Sequence, residues 1–226
     1  MDMRMARSLP ERRSSTYLYV TDESGDMHVG ISDMDIVESV SPEWLSQHIA
    51  RINRADAVVI DANLPEASIA YLAANCTAPM IADPVSTVKA LRLKSILPRL
   101  RAIKPNALEA SILSREEIHS DADVERAADR LLQMGVHRLF LSLGSRGVYA
   151  AMGKERLWLN NLPGSMVNTT GCGDAFMAAL VWAYLEGMNL KDTALSGLAA
   201  AAIAMESPET INPAMSAEAI KARTRI

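Results

Sequence analysis

The segment Asn168-Thr169-Thr170-Gly171-Cys172-Gly173-Asp174 sets two glycines directly ahead of a carboxylate and of the apolar run from Ala175 to Ala183. The glycines let the backbone turn tightly and approach a ligand without Cβ interference, and the apolar run has the composition of a buried helix. The first N–H groups of a helix lack intrahelical acceptors and carry the positive end of its dipole. They therefore make a seat for phosphate or for a developing oxyanion. Asp174 has two readings there. As a helix-start residue it interacts favourably with the dipole by a few tenths to about 1 kcal/mol. As a general base it takes the proton of a hydroxyl that attacks a phosphoryl group held on the neighbouring N–H groups. Chemistry alone weights these two readings evenly.

Four more polar clusters close apolar segments: Asp61-Ala62-Asn63-Leu64, Asp83-Pro84-Val85-Ser86-Thr87-Val88-Lys89, Lys104-Pro105-Asn106-Ala107-Leu108-Glu109 and Ser142-Leu143-Gly144-Ser145-Arg146-Gly147. In open α/β sheets, ligands bind beyond the C-terminal ends of the strands, where these clusters fall. Asn106 and Glu109 have the spacing of a helix capping box. The same pair, one turn apart, could hold the water shell of a magnesium ion, which sheds its waters reluctantly. Gly144 and Gly147 permit close approach to a triphosphate, with Arg146 as a neutralising charge, and a plain glycine turn has the same sequence. Asp83 before Pro84 is also an ordinary turn pair.

Asn168 to Ala175 closely resembles the C-terminal signature of the ribokinase-like (PfkB) carbohydrate and nucleoside kinases, (Asp/Asn)-Thr-x-Gly-Ala-Gly-Asp. The resemblance implies that Gly171, Cys172 and Gly173 form an anion hole, with Cys172 contributing its N–H where Ala is common. It also implies that Asp174 is the catalytic base and that Thr170 lies at the nucleotide. Lys104 to Glu109 resembles the family's Asn-x-x-Glu motif, which implies that Asn106 and Glu109 organise the phosphates and the metal, Glu109 acting on the metal through water. Ser142 to Gly147 resembles the Ser/Thr-x-Gly-x-x-Gly nucleotide loop, placing Ser142, Gly144 and Gly147 at ATP, and Asn212 falls where the family has a loop beside the adenine. The Asp-Pro-Val-Ser phrase, with Asp61 to Leu64 and the hairpin ending Ile31-Ser32-Asp33-Met34, resembles the pseudouridine kinase branch. It implies Asn63, Asp83 and Lys89 as substrate contacts. ATP and Mg²⁺ follow as the implied cofactors, a monovalent cation is a further candidate, and a nucleoside or sugar is the implied acceptor. Two other glycine motifs fail. A dinucleotide-binding Gly-x-Gly-x-x-Gly breaks at Phe176, and no Gly-x-x-x-x-Gly-Lys-(Ser/Thr) occurs.

The elements that must position these residues read as repeated strand–helix units. Residues 15–20 and 27–31 flank Asp22 to Asp26 as a β-hairpin. Ser41-Pro42-Glu43 opens a helix carrying Trp44, Leu45, Ile49 and Ile52. Strands are expected at 57–61, 79–83, 100–104 and 138–143, followed by two hairpin-like strands at 147–152 and 155–160. Helices are expected from Pro65 to about Asn75, at 87–97, from 105–109 onward, at 122–134, over the signature run to Gly187, at 192–205 and from Ser216. Strand, helix and strand with short loops is the unit of a parallel sheet. The expectation is an α/β protein, layered α/β/α and ribokinase-like. Residues 1–14 form a disordered leader, 15–37 a partial β lid and 38–226 the kinase core. The lid is the expected surface of a homodimer.

A length of 226 residues suits one α/β domain with a small appendage. A net charge of −4 argues against a nucleic-acid surface. No apolar run reaches the length of a membrane span and the start lacks a signal peptide's apolar core, so a cytoplasmic protein without membrane or nucleic-acid partners is expected. Cys76 and Cys172 lack metal-ligand spacing, and the four histidines are scattered, so no metal is assigned to them. Residues 1–13 do not resemble the family's start, and its Gly-Gly-x-x-x-Asn sugar clasp is not found. The chain is therefore expected to be truncated at its N-terminus, keeping the nucleotide and catalytic half. A non-catalytic nucleotide-binding remnant is the alternative.

Overall fold

The computed structural model describes residues 2–21 and 27–225. The expected turn at Asp22 to Asp26 lies outside the described residues. The two strands of the expected hairpin, β1 (Thr16–Thr21) and β2 (Met27–Asp33), form a two-stranded antiparallel sheet separate from the main one. Its register sets Leu18 opposite Ile31 and Val20 opposite Val29. All four are 48–65% exposed.

The main sheet runs in the order β3 (Val58–Asp61), β4 (Met80–Asp83), β5 (Leu100–Ile103), β6 (Arg138–Ser142), β7 (Val148–Met152) and β8 (Glu155–Leu159). Its first four strands are mutually parallel, and β7 and β8 are antiparallel additions. Side-chain alternation divides the core between the two faces. Met80 and Ala82, Leu139 and Leu141, and Tyr149 and Ala151 face one side. They pack with α1 (Pro42–Ile52), α2 (Glu66–Asn75), α4 (Ala107–Ser114) and α5 (Asp121–Gln133). Ile81, Phe140, Val148 and Ala150 face the other, under α6 (Cys172–Leu185) and α7 (Leu190–Met205). The layered α/β/α expectation holds. Sheets buried on both faces need apolar residues at successive positions, which is why β4 and β6 read as unbroken apolar runs. Outside this sandwich, α8 (Ala217–Thr224) places Ile220 against Ala179 and Ile203.

The caps follow the sequence. Ser41, Asn106, Ser120, Asn189 and Ser216 each accept a backbone N–H bond at a helix start. The helix expected at 87–97 differs. Only Thr87–Ala90 (α3) is α-helical, and Leu91–Arg99 continues as a 3-10 helix. Ala90, Leu93 and Ile96 are buried at three-residue spacing, which matches the 3-10 pitch, and Pro98 disfavours α conformation at Leu97. Residues 2–15 contain turns only. Asp2 pairs with Arg51 at 3.2 Å, Arg7 donates to the Ser39 carbonyl, and Met5 enters a groove beside the open edge of β3. Among the described residues no helix is long and apolar enough to cross a membrane.

The two helices over the second face approach closely because α7 offers a glycine where α6 offers a ring. A Cβ on Gly197 would lie 2.6 Å from Cε1 of Phe176. Gly197→Ala is therefore expected to lower stability by about 1–3 kcal/mol through overpacking, despite the higher helix propensity of alanine. Chemical denaturation measures this, and an unchanged midpoint would contradict the tight fit.

Candidate active site

The strand ends bring the polar clusters to one edge of the sheet. Asp61 and Asp83 end β3 and β4 in register with each other. Lys104 follows β5, and Asn106 forms a parallel bridge with Ser142 at the end of β6. Short bonds fix these ends, with the Ala62 N–H on the Asp83 carbonyl (3.0 Å) and the Ser142 N–H on the Pro105 carbonyl (2.9 Å). Val85 adopts φ +66°, a left-handed conformation that is strained for a β-branched residue, just after Asp83-Pro84. The Asp83 Oδ1 atom accepts the Val85 N–H at 2.9 Å and holds that turn.

The N-terminus of α6 faces this edge. Gly171 has φ +87° and ψ −9°, the third residue of a type II turn closed by the Cys172 N–H on the Thr169 carbonyl at 3.2 Å. A Cβ on Gly171 would lie 2.3 Å from the Thr210 carbonyl oxygen, so conformation and contact both demand glycine. The closed turn corrects one expectation: the Cys172 N–H is engaged within the protein and is not a free cradle donor. Among the described residues the N–H groups of Gly171, Gly173 and Asp174 have no protein acceptor. Thr170 donates its N–H to Asn168 Oδ1 (2.9 Å), and Asn168 Nδ2 donates to the Pro208 carbonyl (3.1 Å). The 207–212 loop is thereby tied to the cradle.

The carboxylates crowd one another. The Asp174 side chain has no hydrogen-bond partner among the described residues. Its pKa is raised, first by desolvation, then by the charge of Asp83, against the opposing pull of Lys104. Glu109 is 3% exposed and its pKa is also raised, chiefly by burial. Its Oε2 accepts the Asn106 N–H and Asn106 Oδ1 accepts the Glu109 N–H, both at 2.9 Å, so the capping box is formed. Desolvation also raises the Cys172 thiol pKa, which makes it a poor nucleophile.

The remaining expected residues divide into those at this edge and those engaged elsewhere. Lys89 Nζ donates to Asn63 Oδ1 at 2.6 Å, which joins two of the three expected substrate contacts. Arg92 Nη1 donates to the carbonyls of Ala62, Asn63 and Leu64 and fixes the loop beneath them. Gly144 has open space where a Cβ would stand, whereas a Cβ on Gly147 would meet the Leu159 carbonyl at 2.0 Å. Gly147 is thus required by packing against β8, and Arg146 turns away to Asp121 (2.7 Å). Asn212 Nδ2 donates to the Ile203 carbonyl (2.6 Å) and supports the loop beside the cradle. Sequence reading missed Lys104. It is 6% exposed, its Nζ is 3.1 Å from Asp83 Oδ2, and it lies against Gly173. The available signal was a lysine directly after β5, at the carboxyl end of the sheet.

Metal ligation is tested by the donor set. Among the described residues no three His, Cys, Asp or Glu side chains are grouped to hold an ion directly. An ion at this edge would have to be held indirectly, as Mg²⁺ is when it arrives with phosphates and keeps its waters.

This fold, with an aspartate lacking a hydrogen-bond partner among the described residues beside a helix start at its strand ends, agrees with the kinase class that the signature suggests. Residues 2–217 match the pfkB family of carbohydrate kinases, and the chain belongs to that family. It is 34% identical to the pseudouridine kinase of Escherichia coli (strain K12) over 210 residues, which covers 92% of this chain and 67% of that protein. It is 32% identical to an uncharacterized sugar kinase of the same organism, covering 91% of this chain and 57% of that protein. A ribokinase of Arabidopsis thaliana, solved with ribose and ATP, superposes with a TM-score of 0.78 at 20% identity, over 94% of this chain and 69% of that one, and shows the shared ribokinase-like fold. The chain spans between somewhat over half and two thirds of the length of the two curated relatives.

The electrostatics give a testable sign. Because the folded-state pKa of Asp174 is raised, its ionised form is less favourable in the folded chain than in the unfolded one. Stability present below the ordinary carboxylate range is lost as pH rises through the folded-state pKa. Asp174→Asn is expected to raise the Tm at about pH 7.5, with the difference vanishing near about pH 3. Differential scanning fluorimetry across pH reads this, and a lower Tm at neutral pH would reverse the reading.

Proposed function

We propose that the chain carries out ATP-dependent phosphoryl transfer to a hydroxyl of a nucleoside or sugar, pseudouridine being the first substrate to test. The observation that carries this reading is the Asp174 carboxylate, which has no hydrogen-bond partner among the described residues and stands at the α6 start beside N–H groups that likewise have no acceptor there. A carboxylate whose pKa is raised is a better proton acceptor than an ordinary aspartate. The acceptor hydroxyl gives its proton to Asp174 as its oxygen bonds to the γ-phosphorus. The bond from that phosphorus to the bridging oxygen breaks, and ADP leaves with the electron pair. The N–H groups of Gly171, Gly173 and Asp174 hold the charge that develops on the phosphoryl oxygens. Mg²⁺, bound with the nucleotide, would supply charge neutralisation across its phosphates, with Glu109 and Asn106 beside its water shell. Thr170, Ser142, Gly144 and Asn212 stand on the nucleotide side. Asn63, Asp83 and Lys89 stand on the acceptor side, and the 34% identity to a pseudouridine kinase supports that substrate.

A second reading, nucleotide binding without transfer, draws support from the separateness of the hairpin. β1 and β2 pair only with each other. One assay separates the two. Mg·ATP is incubated with a panel of nucleosides and sugars, and phosphorylated product is read by mass spectrometry. The kinase reading expects product, with turnover at least about 10²-fold lower in Asp174→Asn while nucleotide affinity stays within about 3-fold. Nucleotide binding without any product would favour the second reading. Equal activity in Asp174→Asn would remove Asp174 as the base.

The exposed face of Leu18, Val20, Val29 and Ile31 supports a homodimer through the hairpin, since a two-stranded sheet is marginally stable uncovered. Sedimentation velocity should show a dimer that Leu18→Asp/Ile31→Asp converts to monomer. A wild-type monomer at all concentrations excludes that interface.

A further inference from the structure

We propose that Lys104 is a second catalytic residue, whose ammonium contacts the transferred phosphoryl group on the side facing away from the α6 N–H groups. This rests on the kinase reading above and assigns a role to a residue that reading does not use.

Lysine is almost never fully buried unless it is paired, and burying its charge is costly. Lys104 is 6% exposed and has one partner, Asp83 Oδ2 at 3.1 Å. An ammonium carries three donors. No other acceptor for Nζ occurs among the described residues, so two donors remain available at the floor of the site. Their surroundings point to an anion. The one atom within 4 Å of a Cβ built on Gly173 is Lys104 Nζ, at 3.6 Å. Gly173 has no positive φ, so its backbone alone does not demand glycine. A Cβ there would stand in ordinary contact with the ammonium, so Lys104 Nζ lies close beside the Gly173 backbone, where the N–H groups of Gly173 and Asp174 have no acceptor among the described residues.

The charge balance agrees. The charges of Asp83 and Asp61 act on Asp174 and that of Asp83 acts on Glu109, and Lys104 is the cation that opposes them at both. Of the other cations, Arg92 is held by three carbonyls and Arg146 by Asp121, and Lys89 donates to Asn63 on the acceptor side. A phosphoryl group with charge spread over three equatorial oxygens can place one oxygen on the cradle and another on Lys104. Asp83 then acts as a positioning residue. It holds the ammonium toward the acceptor side of the site, where the transferred group passes.

If Lys104 serves only as the partner of Asp83, its loss should affect stability without distinguishing between nucleotides. Calorimetric titration with Mg·ADP and with the Mg²⁺ complex of a non-hydrolysable ATP analogue separates these cases without requiring turnover. Lys104→Met is expected to weaken the triphosphate analogue by about 10- to 100-fold while ADP changes by less than about 3-fold. Lys104→Arg, which keeps the charge, should retain most of the discrimination. Lys104→Met leaves Asp83 buried without its partner, so Lys104→Met/Asp83→Asn serves as the folding control. It should recover Tm but not triphosphate affinity. Equal weakening of both nucleotides, no weakening of either, or recovery of triphosphate affinity in the double variant overturns the assignment of Lys104. A wild-type chain that binds neither nucleotide overturns the kinase reading and this role together.

Discussion

The N-terminus of α6 must be held against the carboxyl ends of β4 and β5, and two close backbone approaches hold it there. Gly171 lets the turn into α6 press on the Thr210 carbonyl, and Gly197 lets the Phe176 ring sink into α7. Both contacts are too tight for a Cβ, so the helix start is located by exclusion as much as by attraction. This determines where unsatisfied N–H groups meet a row of carboxylates. Without it Asp174 would be an ordinary acidic residue on a first helical turn, well placed for the helix dipole and with nothing to deprotonate.

That location works against stability. The raised pKa values of Asp174 and Glu109 mean that ionisation of these groups opposes folding. The fold accommodates them in different ways. Glu109 is buried and spends one oxygen on the Asn106 N–H, a charge-assisted bond that offsets part of its desolvation. Asp174 keeps solvent access and makes no such bond. Val85 adds backbone strain at the same edge. Three unfavourable features close together, in a sheet otherwise packed with aliphatic side chains, are what a site kept for chemistry requires.

The fold was readable because its signals are periodic or local. Buried strands stood out as short apolar runs, and Ser41, Asn106 and Ser216 announced helix starts through hydrogen bonds that need only neighbouring residues. The region 87–97 was read simply as a helix because Leu93, Ile96 and Leu97 suit either helical pitch, and packing against α2 and α4 accompanies the tighter one. The site was less legible. Asn106 and Glu109 were posed as either a cap or a ligand pair. The structure shows the cap formed through Glu109 Oε2 alone, so the two readings do not exclude each other. Lys104 was passed over because its meaning depends on Asp83 and Gly173, 21 and 69 positions away in the chain. No local pattern carries that information.

The glycines make the same point in reverse. Gly147 ends the turn after β6 and Gly173 lies in the first turn of α6, and the family resemblance sets both beside phosphate. A Cβ at Gly147 would collide with the Leu159 backbone at 2.0 Å, whereas one at Gly173 would find only the Lys104 ammonium at 3.6 Å. The first glycine is occupied by the protein itself. The second lies beside an ammonium with donors to spare and carries an N–H without an acceptor among the described residues, a grouping of donors that favours an anion. A glycine required by internal packing says nothing about a ligand. A glycine that internal packing does not require, next to unpartnered donors, does.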